Sequence, residues 1–357
     1  MTTYLLAGGG TAGHVNPLLA VADRIRATEA DATVLVLGTA EGLESRLVPA
    51  RGYELIVVAR VPFPRRPNRA AMRFLPRFNA AVRTVTDVIR SRRVDVVVGF
   101  GGYVSTPAYL AARRAGVPIV IHEANARPGL ANKLGARLTR HVGVAFAGTP
   151  IRHARFVGMP LRPEIERLDR TKARPDALAF FGLVQERPVL LVTGGSLGAR
   201  KLNATMVAAA RDLVAAGWQV LHITGSKAEV TDPQLPNYHL LEYCDRMDLA
   251  LAAADFAVTR AGAATVSELC ALGIPAVYVP YPVGNGEQRF NAEPVLAAGG
   301  GIVIDDKDFV PAFVQAELVT LLGDRAHVAA MARAAASVGA LDGTIQMVDL
   351  IHEALTT

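Results

Sequence analysis

The chain has 357 residues, 51% of them apolar and 20% charged, with a net charge of +6 and two cysteines. That length is about twice an ordinary domain, so two domains are expected, and the composition excludes a disordered chain. The cysteine usage excludes a disulfide framework and a metal knuckle and points to a reducing compartment, and the lack of a basic, apolar leader or of roughly 18 consecutive apolar residues predicts neither export nor a membrane span.

The first element, residues 4–7, is an apolar strand that runs into Gly8-Gly9-Gly10-Thr11-Ala12-Gly13-His14 and then, over residues 18–25, a helical run. Glycines let backbone amides approach an oxygen-rich anion, and a helix start carries positive potential. His14 stands beside that start, where the imidazolium is disfavoured. A neutral ring can take a proton, which a general base must do when a sugar hydroxyl attacks; a histidine that only caps or packs the first turn is the plain alternative. The spacing also satisfies G-x-G-x-x-G, but the next strand, 33–37, ends in Gly38-Thr39-Ala40 with Glu41 arriving late. The acid that would hold a dinucleotide ribose is missing, which weakens a nicotinamide-enzyme reading.

After a strand at 55–58, residues 60–93 carry ten arginines against one acid, Asp87, with Phe63, Met72, Phe74, Leu75 and Phe78 interleaved. Nucleic acid fits such a patch, but arginines mixed with bulky apolar side chains also suit an anionic membrane surface, at about 1 kcal/mol per cation. A solvated loop and helix is the alternative. Strands at 95–99, 119–122 and 142–145 follow, and the exit after the middle one brings His122, Glu123 and Asn125 into a polar mouth. Residues 146–165, with three prolines and no clean period, read as a connector, with the boundary near Pro160.

The pattern then restarts with strands at 189–193, 220–224, 239–242, 256–259, 276–280 and 301–304. Strand and helix alternate throughout, which predicts two α/β units with parallel sheets. The second unit opens on its own glycine turn, Gly194-Gly195-Ser196-Leu197-Gly198. Two phosphate-friendly turns at strand exits predict a site in a cleft between the units. Residues 260–282 form another strand exit, small-residue turn and helix. Its Glu268 can grip two ribose hydroxyls, or serve as a first-turn acid that complements the helix dipole. Residues 284–294 gather Glu287, Gln288 and Asn291, whose amides suit sugar hydroxyls. Asp306-Lys307-Asp308 reads as an acidic surface turn rather than a divalent site. The last segment, 341–355, reads as an amphipathic helix that could pack on either unit.

Taken together, GGGTAGHVNPLLAVA, VVVGFGGYVSTPAYLAA, HEANARPGLANK, GGSLGARKLN and RAGAATVSELCALGIPAVYVPYP closely resemble the bacterial N-acetylglucosaminyltransferases that convert lipid I to lipid II, the MurG family. The resemblance spans nearly the whole chain. It implies the GT-B fold: two Rossmann-like domains facing a central cleft, residues 1–161 (with 341–357 returning to pack on them) and 162–340. It further implies an inverting transfer from UDP-N-acetylglucosamine to the C4 hydroxyl of the muramyl sugar of undecaprenyl-linked lipid I, with no cofactor and no metal.

By the same resemblance, Thr11, Ala12 and Gly13 approach the donor sugar, Asn125 its hydroxyls, and Arg162 and Ser196 the phosphates. Ala263, Ala264, Thr265, Val266 and Ser267 put a helix start against the diphosphate, Glu268 holds the ribose, and Cys244 borders the uracil through its backbone. Gln288 and Asn291 read the N-acetylglucosamine hydroxyls, and His14 is the candidate base. Some relatives have a glutamine where this chain has Glu287. Arg65, Arg66, Arg69, Arg73, Phe74 and Phe78 form the expected patch for the cytoplasmic membrane face. The implied partners are the two substrates, an anionic membrane surface and other cell-wall synthesis proteins, but no nucleic acid. A different GT-B UDP-sugar transferase, such as a glycolipid synthase, and a non-catalytic nucleotide-binding module are the competing functions.

Overall fold

The structure is a computed structural model that describes residues 1–61, 69–195, 198–283 and 286–356, with the backbone alone at 69–73. Among these residues the apolar runs form two all-parallel sheets. The first contains β1 (Thr3–Gly8), β2 (Thr33–Gly38), β3 (Glu54–Val57), β4 (Val96–Gly101), β5 (Ile119–Glu123), β6 (His141–Val144) and β7 (Ala154–Phe156), in the order β3-β2-β1-β4-β5-β6-β7. The second contains β8 (Val189–Thr193), β9 (Gln219–Ile223), β10 (Tyr238–Leu241), β11 (Phe256–Thr259), β12 (Ala276–Tyr278) and β13 (Gly301–Val303), in the order β10-β9-β8-β11-β12-β13. This is the doubly wound α/β class expected from the alternation of strand and helix.

Parallel sheets are covered on both faces, so their strands are apolar along most of their length while successive side chains serve different layers. In β1, Tyr4 and Leu6 join one buried cluster with Val36, Val96 and Val98. Leu5 and Ala7 join the opposite one with Leu35, Val97 and Ile121. The second sheet buries Leu190, Val192, Val220 and Val258 on one face with Trp218 and Phe256.

Chain contacts divide the molecule into Met1–Pro163 with Asp342–Thr357, and Glu164–Leu341. The C-terminal helix Gly343–Thr356 reaches the first sheet because its apolar stripe matches a gap there. Met347, Val348, Leu350 and Ile351 are buried with Tyr4 and Leu6, each worth about 2 kcal/mol of burial. Gly143 of β6 makes the room: a Cβ there would lie 3.2 Å from the Met347 sulfur.

Two local expectations need correction. The stretch read as a connector with no clean period contains β7, a three-residue edge strand whose residues are all exposed, so no buried alternation marks it. The first helix, α1 (Ala12–Thr28), begins well before the apolar run at Leu18 and carries Pro17 inside it. Proline there removes only the amide that would reach back to Gly13 in the first turn. Two further helices matter below, α2 (Glu44–Ala50) and α3 (Arg69–Ser91).

Candidate functional site

In the first sheet the strand order reverses between β1 and β4, whose connections leave in opposite directions. Open α/β sheets offer a crevice at the carboxyl ends of such a pair. The glycine turn after β1 lies there. Gly10 has φ +89°, and Thr11 is extended and forms the N-cap of α1, its carbonyl accepting from the His14 and Val15 amides at 3.1 Å each. Ala12 and Gly13 are the first two residues of that helix.

His14 is fixed by its own turn. Its Nδ1 lies 3.1 Å from the Gly9 carbonyl oxygen and 3.3 Å from Thr11 Oγ1. A carbonyl oxygen only accepts, so Nδ1 carries the proton and Nε2 of the neutral ring keeps a lone pair. The ring rests on Gly101, the last residue of β4, where a Cβ would stand 3.0 Å from Nε2. At Gly102, φ +85°, a Cβ would stand 2.6 Å from the Gly9 oxygen. Backbone thus meets backbone across the switch point, which side chains would prevent.

The turn is not an empty anion cradle, a correction to the sequence expectation. Glu44 of α2 is fully buried beneath it. Its Oε2 accepts from the Gly10 amide at 2.8 Å, and its Oε1 accepts from the Thr39 amide at 2.9 Å and the Thr39 hydroxyl at 2.8 Å. Burial works against its ionisation, but the Gly10 and Thr39 bonds outweigh that and hold the carboxyl below its usual value. Nothing local in EGLESRLVP marks this acid as different from a surface one, and the sequence passes over it.

At the end of β5, His122 and Glu123 are buried, not part of an open mouth. Burial pushes the His122 pKa down to about 4 against the opposing bond of its Nε2 to the Gly158 carbonyl at 3.1 Å. Glu123 accepts from the Asn125 amide at 2.9 Å, the Gly129 amide at 3.0 Å and Asn132 Nδ2 at 2.9 Å. Of the three, Asn125 is the one outside the core, held by the carboxylate behind it. Arg162 lies one residue before the end of this stretch of the first unit, at Pro163.

The second sheet reverses between β8 and β11. After β8, Gly195 has φ +90° and Gly198 φ +82°, with the Gly198 amide bonded to the Gly195 carbonyl at 2.9 Å. Ser196 lies outside the described residues, as do Arg65 and Arg66, and of Arg69 and Arg73 only their place in α3 is described.

After β11, Gly262 is an extended N-cap with no side-chain cap for the helix Ala263–Ala271, so the amides of Ala263, Ala264 and Thr265 are suited to an anion. Val266 turns its side chain into the core, Ser267 follows it, and Glu268 stands a full turn further along. Its reading as a first-turn dipole partner is thereby corrected. Arg260 pairs with Asp306 at 2.6 Å and bonds the Val279 carbonyl at 3.0 Å, which also accounts for the acidic turn.

Gln288 Oε1 accepts from the Tyr281 amide at 2.9 Å. Asn291 is fully buried and donates to the Ala261 carbonyl at 3.3 Å, which ties the helix Glu287–Ala297 to the strand exit. Cys244 follows β10 beside a cavity of about 550 Å³ lined by Phe180, Phe181, Tyr238 and Tyr243. Both cysteines are buried thiols, and burial pushes the Cys270 thiol up to about 12, which keeps it protonated at neutral pH. Among the described residues no three His, Cys, Asp or Glu side chains gather as a metal site.

Comparison with known proteins adds kinship to this geometry. The models of the glycosyltransferase family 28 N-terminal and C-terminal domains match residues 4–144 and 189–347. A relative from Leifsonia xyli subsp. xyli, named UDP-N-acetylglucosamine–N-acetylmuramyl-(pentapeptide) pyrophosphoryl-undecaprenol N-acetylglucosamine transferase, is 67% identical over 100% of this chain and 99% of its own. A Streptomyces coelicolor relative of the same name is 49% identical over 98% of both chains. The crystal structure of Acinetobacter baumannii MurG superposes with a TM-score of 0.81 at 28% identity, covering 99% of this chain and 100% of that one.

Proposed function

The chain belongs to glycosyltransferase family 28, and on that premise we propose that it transfers N-acetylglucosamine from UDP-N-acetylglucosamine to the C4 hydroxyl of the muramyl sugar of undecaprenyl-linked lipid I, forming lipid II. The whole-length likeness to relatives bearing that name supports the substrates. The observation that carries the chemistry is His14, held at a strand-order switch point with Nδ1 on the Gly9 carbonyl.

In the proposed mechanism the acceptor hydroxyl gives its proton to His14 Nε2 as its oxygen bonds to C1 of N-acetylglucosamine. The bond from C1 to the β-phosphate oxygen breaks with its electron pair, and the configuration at C1 inverts. The uncapped start of the helix Ala263–Ala271 meets the charge that develops on the leaving diphosphate. Glu268 accepts from the ribose hydroxyls, the backbone at Cys244 borders the uracil, and Arg162 and Ser196 meet the phosphates. Thr11, Ala12, Gly13, Asn125 and Gln288 contact the sugar, with Asn291 holding the helix that carries Gln288.

Incubation with radiolabelled UDP-N-acetylglucosamine and a lipid I analogue, in chelator, tests this directly. Labelled product is expected; transfer only to a different lipid would redirect the assignment to a glycolipid synthase, and no transfer rejects it.

The membrane patch belongs to the same proposal. No helix among the described residues is long and apolar enough to cross a membrane. The start of α3 instead carries Leu75 at 65% exposure beside the stacked rings of Phe74 and Phe78, 5.3 Å apart. Apolar side chains among arginines suit an anionic cytoplasmic leaflet. Binding to vesicles containing phosphatidylglycerol should weaken with salt and when Arg65, Arg66, Arg69 and Arg73 are all replaced by glutamate; unchanged binding rejects the patch.

A further inference from the structure

Two bonds described above share one peptide group. The Gly9 carbonyl accepts from His14 Nδ1 at 3.1 Å, and the amide on the other side of the same peptide bond, that of Gly10, donates to Glu44 Oε2 at 2.8 Å. We propose that Glu44, Gly9-Gly10 and His14 form a carboxylate–peptide–imidazole relay in which Glu44 is the positioning residue for the base. The inference rests on the reading of His14 as that base.

A peptide group is a resonance dipole. A carboxylate on its N–H end draws positive character toward the amide and leaves more negative charge on the oxygen, so the two bonds strengthen each other. The stronger acceptor holds the proton on Nδ1 and leaves the lone pair on Nε2, beside Gly101. The arrangement performs the task of the acid in an acid–histidine pair, with a peptide bond between the two. When Nε2 takes the proton of the attacking hydroxyl, the imidazolium has Nδ1–H on an oxygen backed by the buried negative charge. The proton then leaves to water and the ring returns to its starting tautomer.

The surroundings are built for this carboxylate. Its other oxygen is occupied by both donors of Thr39. Side chains at Gly9, Gly38 or Gly42 would run into it. A buried acid that served packing alone would need none of the alignment with Gly10.

The test combines nitrogen NMR of histidine-labelled protein with kinetics. In the wild type, His14 Nδ1 should show the shift of a protonated nitrogen and Nε2 that of a bare one; the reverse tautomer overturns the proposal without any variant. Glu44→Gln keeps the shape and removes the charge. It should populate the other tautomer and lower kcat about tenfold or more, with the KM for UDP-N-acetylglucosamine and UDP binding unchanged, and Glu44→Asp should recover less than the wild-type rate. In a His14→Ala background, Glu44→Gln should cost nothing further.

Full activity in Glu44→Gln, or an equal loss in both backgrounds, overturns the relay. Wild-type kcat in His14→Ala overturns the base assignment instead, and the tautomer measurement separates the two failures.

Discussion

The two strand-order switch points look alike in sequence and differ in what occupies them. At the β1 exit a buried carboxylate already takes the Gly10 amide. At the β11 exit the N-cap is a bare Gly262, which offers the helix behind it no side-chain cap. The same motif type thus supports opposite electrostatics. One corner carries its own anion and presents an imidazole, which suits neutral hydroxyls; the other keeps amides for a charged ligand.

The sharpest way to break this comparison is at its two ends. His14→Ala should lower kcat on the order of a thousandfold while leaving UDP affinity intact, as calorimetric titration would read. Equal loss of UDP binding would mean that the first corner grips the nucleotide after all. Glu268→Ala should do the reverse, weakening UDP by about ten- to a hundredfold through lost bonds to the carboxylate, with the unfolding midpoint held.

Gly102→Ala sharpens the contrast in backbone terms. Its Cβ would meet the Gly9 oxygen and its φ is +85°, so about 1–3 kcal/mol of stability should be lost in urea unfolding. Gly10→Ala, with nothing within 4 Å of the added atom, should lose only the cost of the positive φ, about 1 kcal/mol.

The remaining effects are in the response to acid. Glu44 has a lowered pKa, so its contribution is complete above the ordinary carboxyl value of 4.5 and fades as pH falls through the lower folded value. The stability gap between wild type and Glu44→Gln should narrow below pH 4.5. In the second unit His222 bridges the Tyr238 hydroxyl at 2.8 Å and Asn203 Oδ1 at 3.1 Å, and burial pushes its pKa from 6.5 down to about 4. The unfolded histidine takes its proton first, so His222 should lower stability by about 1.4 kcal/mol per pH unit on going from pH 6.5 toward 4, beside an equal share from His122. His222→Asn should remove its own share and leave that of His122.

What sequence could and could not foretell follows from range. Strands such as β4 and β8 were legible because both faces are buried and their residues are nearly all apolar. β7 was not, because three exposed residues have no pattern. The start of α1 was obscured by Pro17, which reads as a stop signal. His14 and Glu268 stood out through their place beside glycine turns. Glu44 did not, since its role depends on an amide 34 residues away. Asn291 did stand out, as a reader of sugar hydroxyls, but its burial against Ala261 only the packed helix shows. His122 and Glu123 looked like site residues by neighbourhood and are core by contact.

The resident acid beneath the first turn has a consequence for inhibitor chemistry. A compound that places a phosphonate against Gly10 meets negative charge where its design expects a vacancy, whereas a neutral amide or a weak base aimed at His14 Nε2 meets a matched partner. Replacing a phosphonate by its amide isostere at that position should therefore tighten binding, and the same exchange at the start of the helix Ala263–Ala271 should loosen it.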